Sequence, residues 1–60
     1  MSPAVIDAME AYDNETEAGI IMHQFTNAQL LKIAQRIANR YKVDFTWDEI
    51  EDRIIFFDFD

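Results

Sequence analysis

Apolar residues recur along this chain in more than one rhythm, and each rhythm predicts a different element. Val5, Ile6, Met9 and Tyr12 follow at three- and four-residue steps, the spacing that gathers side chains on one side of a helix. Ser2-Pro3 stands ahead of them as an N-cap and a first helical position. Asp7, Glu10 and Asn14 lie on another side, and polar Asp13-Asn14-Glu15-Thr16 is expected to end this helix. A second helix is expected from about 27 to 41. Thr26 and Gln29 have the spacing of a capping box, and Leu30, Ile33, Ala34, Ile37, Ala38 and Tyr41 form its apolar stripe. Lys32, Arg36 and Arg40 occupy a different face of it, and the cations near its end suit the helix dipole.

Two later segments follow a strand rhythm. Val43-Asp44-Phe45-Thr46-Trp47-Asp48 alternates with period two, as a half-buried strand does. Arg53–Phe59 is rich in Ile and Phe, and Glu49-Ile50-Glu51-Asp52 is a plausible hairpin connection between the two. A capping box at Thr46–Glu49, opening a short helix through Arg53, is the alternative for residues 47–53. Gly19–Phe25 (Gly-Ile-Ile-Met-His-Gln-Phe) has no clear period. Its isoleucines and length favour a central strand, against a second short helix beginning near Asn14. These elements predict one α+β domain over residues 1–60 in the order α-β-α-β-β. A three-stranded sheet would end in a C-terminal hairpin and pack against helix 27–41.

Composition narrows what such a domain can do. Sixty residues allow a single small core. Half of the residues are hydrophobic, too many for a disordered chain. No Lys or Arg precedes residue 32, and the apolar runs Ala18–Met22 and Ile54–Phe57 are too short for a membrane span. With no cysteine in the chain, a cytoplasmic protein is expected. The net charge of −7 is unevenly distributed. Residues 1–17 carry −5, residues 18–43 carry +4 and residues 44–60 carry −6.

Catalytic chemistry finds little to work with. His23 is the single histidine, there is no cysteine, and the only serine is Ser2, so neither a Ser-His-Asp nor a Cys-His arrangement can be assembled. The oxygen-rich clusters at 13–17 and 48–52 lack the glycine and spacing of an EF-hand loop. No enzyme activity, metal or other cofactor is expected. Lys32, Arg36 and Arg40 could touch phosphates, but the acidic remainder would repel nucleic acid.

The acids suggest binding instead. If Val43, Phe45 and Trp47 face the helix, then Asp44, Thr46 and Asp48 face away. If Ile55, Phe57 and Phe59 also face the helix, then Ile54, Phe56, Asp58 and Asp60 face away. Same-face residues along a strand are about 6.6 Å apart, from roughly 3.3 Å per residue, a pitch comparable to that of successive phosphates. Carboxylates so spaced could engage Lys and Arg side chains meant for phosphate. Glu49, Glu51 and Asp52 would extend the row, Ile54 and Phe56 would add apolar contact, and Asp7, Glu10, Asp13, Glu15 and Glu17 would make a secondary acidic surface.

In size, charge and compactness the chain resembles the small acidic inhibitors that bacteriophages encode against host enzymes and defence systems. Some of these, including certain anti-CRISPR proteins, present carboxylates in place of DNA phosphates. The resemblance implies an inhibitor that mimics DNA and occupies a basic, nucleic-acid-binding site on a protein target. The alternative is an adaptor or small accessory subunit, homodimeric or not, that binds through apolar surface and a strand edge.

Overall fold

A computed structural model describes residues 2–22 and 25–59, with the side chains of all of these except 18–22. Helix α1 spans Pro3–Met22 and helix α2 spans Asn27–Tyr41. Strands β1 (Asp44–Asp48) and β2 (Arg53–Phe57) form a two-stranded antiparallel sheet. The order is therefore α-α-β-β, and the three-stranded sheet expected from the sequence is not formed. Residues 19–22, read as the start of a strand, are the last turn of α1; His23 and Gln24, the rest of that segment before Phe25, lie outside the described residues.

The start of α1 follows its sequence signals. Ser2 Oγ accepts a hydrogen bond from the Val5 amide at 3.3 Å, and the Ser2 carbonyl accepts from the Ile6 amide at 3.1 Å. Pro3 has no amide hydrogen to satisfy there. The helix does not stop at Asp13–Thr16. Thr16 is buried, on the side of α1 that also buries Val5 and Ala8, and its hydroxyl donates to the Tyr12 carbonyl at 2.8 Å. The apolar stripe thus continues through a threonine. Asn14 and Thr16 each cost only a few tenths of a kcal/mol in helix propensity, which burial of Tyr12 and Thr16 outweighs.

Helix α2 is capped at both ends. The Thr26 side chain accepts from the Gln29 amide at 3.2 Å, and the Gln29 side chain accepts from the Thr26 amide at 2.8 Å. At the far end Lys42 takes a left-handed conformation with φ 59°, and the Val43 amide donates back to the Ala38 carbonyl at 3.0 Å. That reversal turns the chain directly into β1.

The sheet lies over both helices, with α1 against β2 and α2 against both strands. Its register pairs Phe45 with Phe56 and Trp47 with Ile54. Residues directly opposite in an antiparallel pair share a face, so these four side chains point inward together. They meet Val5, Ala8, Ile33, Ala34, Ile37, Ala38 and Val43 in one core cluster. Tyr12 contacts Phe56 edge-to-face, with ring centroids 5.6 Å apart.

The register overturns the expected faces of β2. Ile54 and Phe56 are core residues, 5% and 6% exposed, whereas Phe57 is 42% exposed. Residues 54–57 are all apolar, so their own pattern gives no phase. The connection supplies it. Four residues, Glu49–Asp52, separate the strands. An even count sets odd-numbered Phe45 and Trp47 opposite even-numbered partners.

Candidate binding surface on the hairpin

The outer face of the hairpin consists of two unlike lanes. On β1 stand Asp44, Thr46 and Asp48; opposite them on β2 stand Phe57, Ile55 and Arg53. The two carboxylates of the β1 lane are two same-face steps apart, about 13 Å, with exposed Thr46 between them. The second lane is apolar apart from Arg53 at the turn end. Phe59, just past β2, is 66% exposed.

Several of the expected binding acids also serve the fold. Asp44 Oδ1 accepts from the neighbouring Phe45 amide at 2.8 Å. Asp48 Oδ1 accepts from the Ile50 and Glu51 amides, at 2.9 and 3.3 Å, and so holds the turn. Asp52 sits at φ 55°, a conformation that Asp tolerates better than most residues, and accepts from the Trp47 indole at 3.1 Å. The Trp47 ring packs on the core, so this bond ties the turn to the body of the domain. Glu49 makes no side-chain hydrogen bond or ion pair among the described residues, and Glu51 reaches only Arg53, at 4.0 Å. Asp58 Oδ1 accepts from the Ser2 hydroxyl at 2.5 Å, which fastens the end of β2 to the start of α1. Asp60 lies outside the described residues.

The secondary acidic surface is divided. Helical periodicity puts Asp7, Glu10 and Glu17 on the side of α1 away from the buried Val5 and Ala8 and Asp13 on its flank, and all four are exposed. Asp7 and Glu17 are about 15 Å apart along the axis. Glu15 instead turns toward α2 and forms an ion pair with Arg36. Tyr12 is held above its ordinary pKa of 10.0, first by burial and then by the nearby Asp13 carboxylate.

Burial removes Ile54 and Phe56 from any binding surface. Sequence patterning assigned the outward role to them and so missed Phe57 and Phe59; the even length of the turn was the signal that locates these two. It also passed over Ile50, which is 97% exposed at the turn. A β-branched side chain is out of place there, because turns favour Gly, Asn, Asp and Ser. Among the described residues no three acidic or histidine side chains converge as metal ligands would, and no helix is long and apolar enough to cross a membrane. Comparison with protein-family models, with curated proteins and with solved structures finds no match.

Proposed function

We propose that this protein is a small acidic cytoplasmic binding protein, not an enzyme. On this proposal it docks its hairpin on a basic surface of a protein target and inhibits that target. The surface would be one that otherwise holds nucleic acid, as in the phage-encoded inhibitors it resembles. The observation that carries the proposal is the pair of lanes on the hairpin's outer face. Asp44 and Asp48, with Glu49 and Glu51 at the turn, supply charge that steers a basic partner. Ile55, Phe57 and Phe59 supply the short-range apolar contact that carboxylates alone do not give. Exposed aromatics beside an anionic lane favour a protein partner over a purely electrostatic encounter.

The same exposed Phe57 and Phe59 support a second reading, an adaptor that holds its partner mainly through apolar contact and an open strand edge. The two are separated by competition. The tagged chain is used to capture a partner from a bacterial lysate, and the purified partner is assayed for nucleic-acid binding. Inhibition predicts that added chain displaces duplex DNA from the partner, and that added DNA displaces the chain. A partner that binds the chain and DNA together excludes the inhibitor and leaves the adaptor.

A further inference from the structure

Away from the hairpin, the two helices enclose an open groove of about 390 Å³, within the size range of small-ligand sites. Ala11 and Ile37 line its apolar part, α1 contributes Asn14 and Glu15, and α2 contributes Arg36 and Arg40. Its α2 wall belongs to residues 18–43, which contain no Asp or Glu, whereas its α1 wall belongs to the acidic segment 1–17. Arg36 already takes one carboxylate here, that of Glu15. Arg40 makes no ion pair among the described residues, although the chain has 12 acids and only 5 bases. Its guanidinium lies 5.5 Å from the centroid of the Tyr41 ring, a contact that restrains the group without using its N–H donors. Arg36 and Arg40 are one helical turn apart, with Cβ atoms about 5–6 Å from each other. Their forks suit oxygens presented on one small anion. The Asn14 amide adds donors from the other helix.

We propose that this groove binds the phosphate group of a small molecule. Arg36 and Arg40 clamp it, Asn14 provides a third contact, and Glu15 acts as an internal anion that competes for Arg36. The site is independent of the hairpin surface and uses none of its residues. The acidic surroundings oppose an incoming anion, so the dissociation constant is on the order of 1 mM.

The competing role of Glu15 gives the test opposite signs. Isotope-labelled protein is titrated with inorganic phosphate at constant ionic strength while side-chain N–H signals are followed by NMR. The expected result is saturable movement of the Arg36, Arg40 and Asn14 signals. Arg40→Gln weakens binding about fivefold, and Glu15→Gln tightens it about threefold by releasing Arg36. Lys32→Gln makes the same charge change as Arg40→Gln but outside the groove, and leaves the affinity within about twofold. Circular dichroism checks that each variant is folded, and Arg36→Lys, which keeps the charge but loses the fork, also weakens binding. Movement that never saturates, equal losses in Lys32→Gln and Arg40→Gln, or weaker binding in Glu15→Gln would overturn the proposal. Adenosine monophosphate and acetate complete the series. Adenosine monophosphate binding as well as phosphate or better supports a phosphate site, free or carried on a nucleotide, and acetate binding more tightly than phosphate refutes it.

Discussion

Replacing Phe56 by Ala tests the packing of the hairpin on the helices. Phe56 is 6% exposed and touches the rings of Tyr12 and Phe45. Truncating a buried Phe to Ala costs about 3–5 kcal/mol, and a thin two-layer core that can relax puts the loss near the lower end. A 60-residue domain has about 3–9 kcal/mol in total, at roughly 0.05–0.15 kcal/mol per residue. Phe56→Ala therefore removes much or all of the stability. With a urea dependence of about 1 kcal/mol per molar, the midpoint falls by about 3 M. Phe57, one residue on, is 42% exposed on the outer face, and Phe57→Ala costs about 1 kcal/mol or less. Phe56→Leu keeps most of the volume, costs about 1 kcal/mol, and guards against a variant too unstable to measure. Urea unfolding is followed by far-ultraviolet circular dichroism and by Trp47 fluorescence; coincident transitions license the two-state comparison. A larger loss in Phe57→Ala than in Phe56→Ala would refute the register and restore the opposite face of β2.

Three further substitutions probe single features. Lys42 carries a side chain in the left-handed region at the end of α2, so Lys42→Gly should stabilise the fold by about 1 kcal/mol, read as a higher urea midpoint. Burial raises the Tyr12 pKa above 10.0, so the unfolded chain loses this proton first. The stabilisation linked to the neutral phenol is complete below pH 10.0 and is lost as pH rises through the folded value. Tyr12→Phe should therefore flatten the alkaline fall in stability, and an unchanged fall would place its cause elsewhere. Ile50 is exposed in the turn, so Ile50→Asn should leave thermal stability within about 0.5 kcal/mol or raise it slightly; a clear loss would mean that the side chain supports the fold.

Helix α2 was legible because independent signals agree on it. Thr26 and Gln29 fix its start, and the stripe from Leu30 to Tyr41 fixes its inner face. The hairpin was legible for a similar reason, since alternation in Asp44–Asp48 and a polar connection at 49–52 point the same way. Helix α1 was only half legible. Its stripe passes from Tyr12 to Thr16, whose hydroxyl looks polar in sequence but is satisfied by the Tyr12 carbonyl. Beyond it, Ile20-Ile21-Met22 has no period that separates a strand from a helix. The phase of β2 was hidden inside an all-apolar run, although the parity of the turn contained it. Most of the described acids are exposed, as their charge suggests, while Asp44 and Asp48 are half-buried; the partners of the acids were not readable. Asp58 meets Ser2 across 56 positions and Glu15 meets Arg36 across 21, pairings that only the folded chain creates.

The salt dependence of the captured complex tests the proposed acidic docking surface most directly. A partner held on the immobilised chain is eluted along a salt series, in parallel with the triple variant Asp44→Asn, Glu49→Gln, Glu51→Gln. Charge-directed docking predicts that wild-type affinity falls at least tenfold between about 0.05 and 0.5 M salt, as the Debye length shrinks to a few ångströms. The triple variant should start weaker and respond less steeply. Affinity that is flat across the series and unchanged by the three neutralisations would contradict the claim, and would leave the apolar lane of Ile55, Phe57 and Phe59 as the surface that binds.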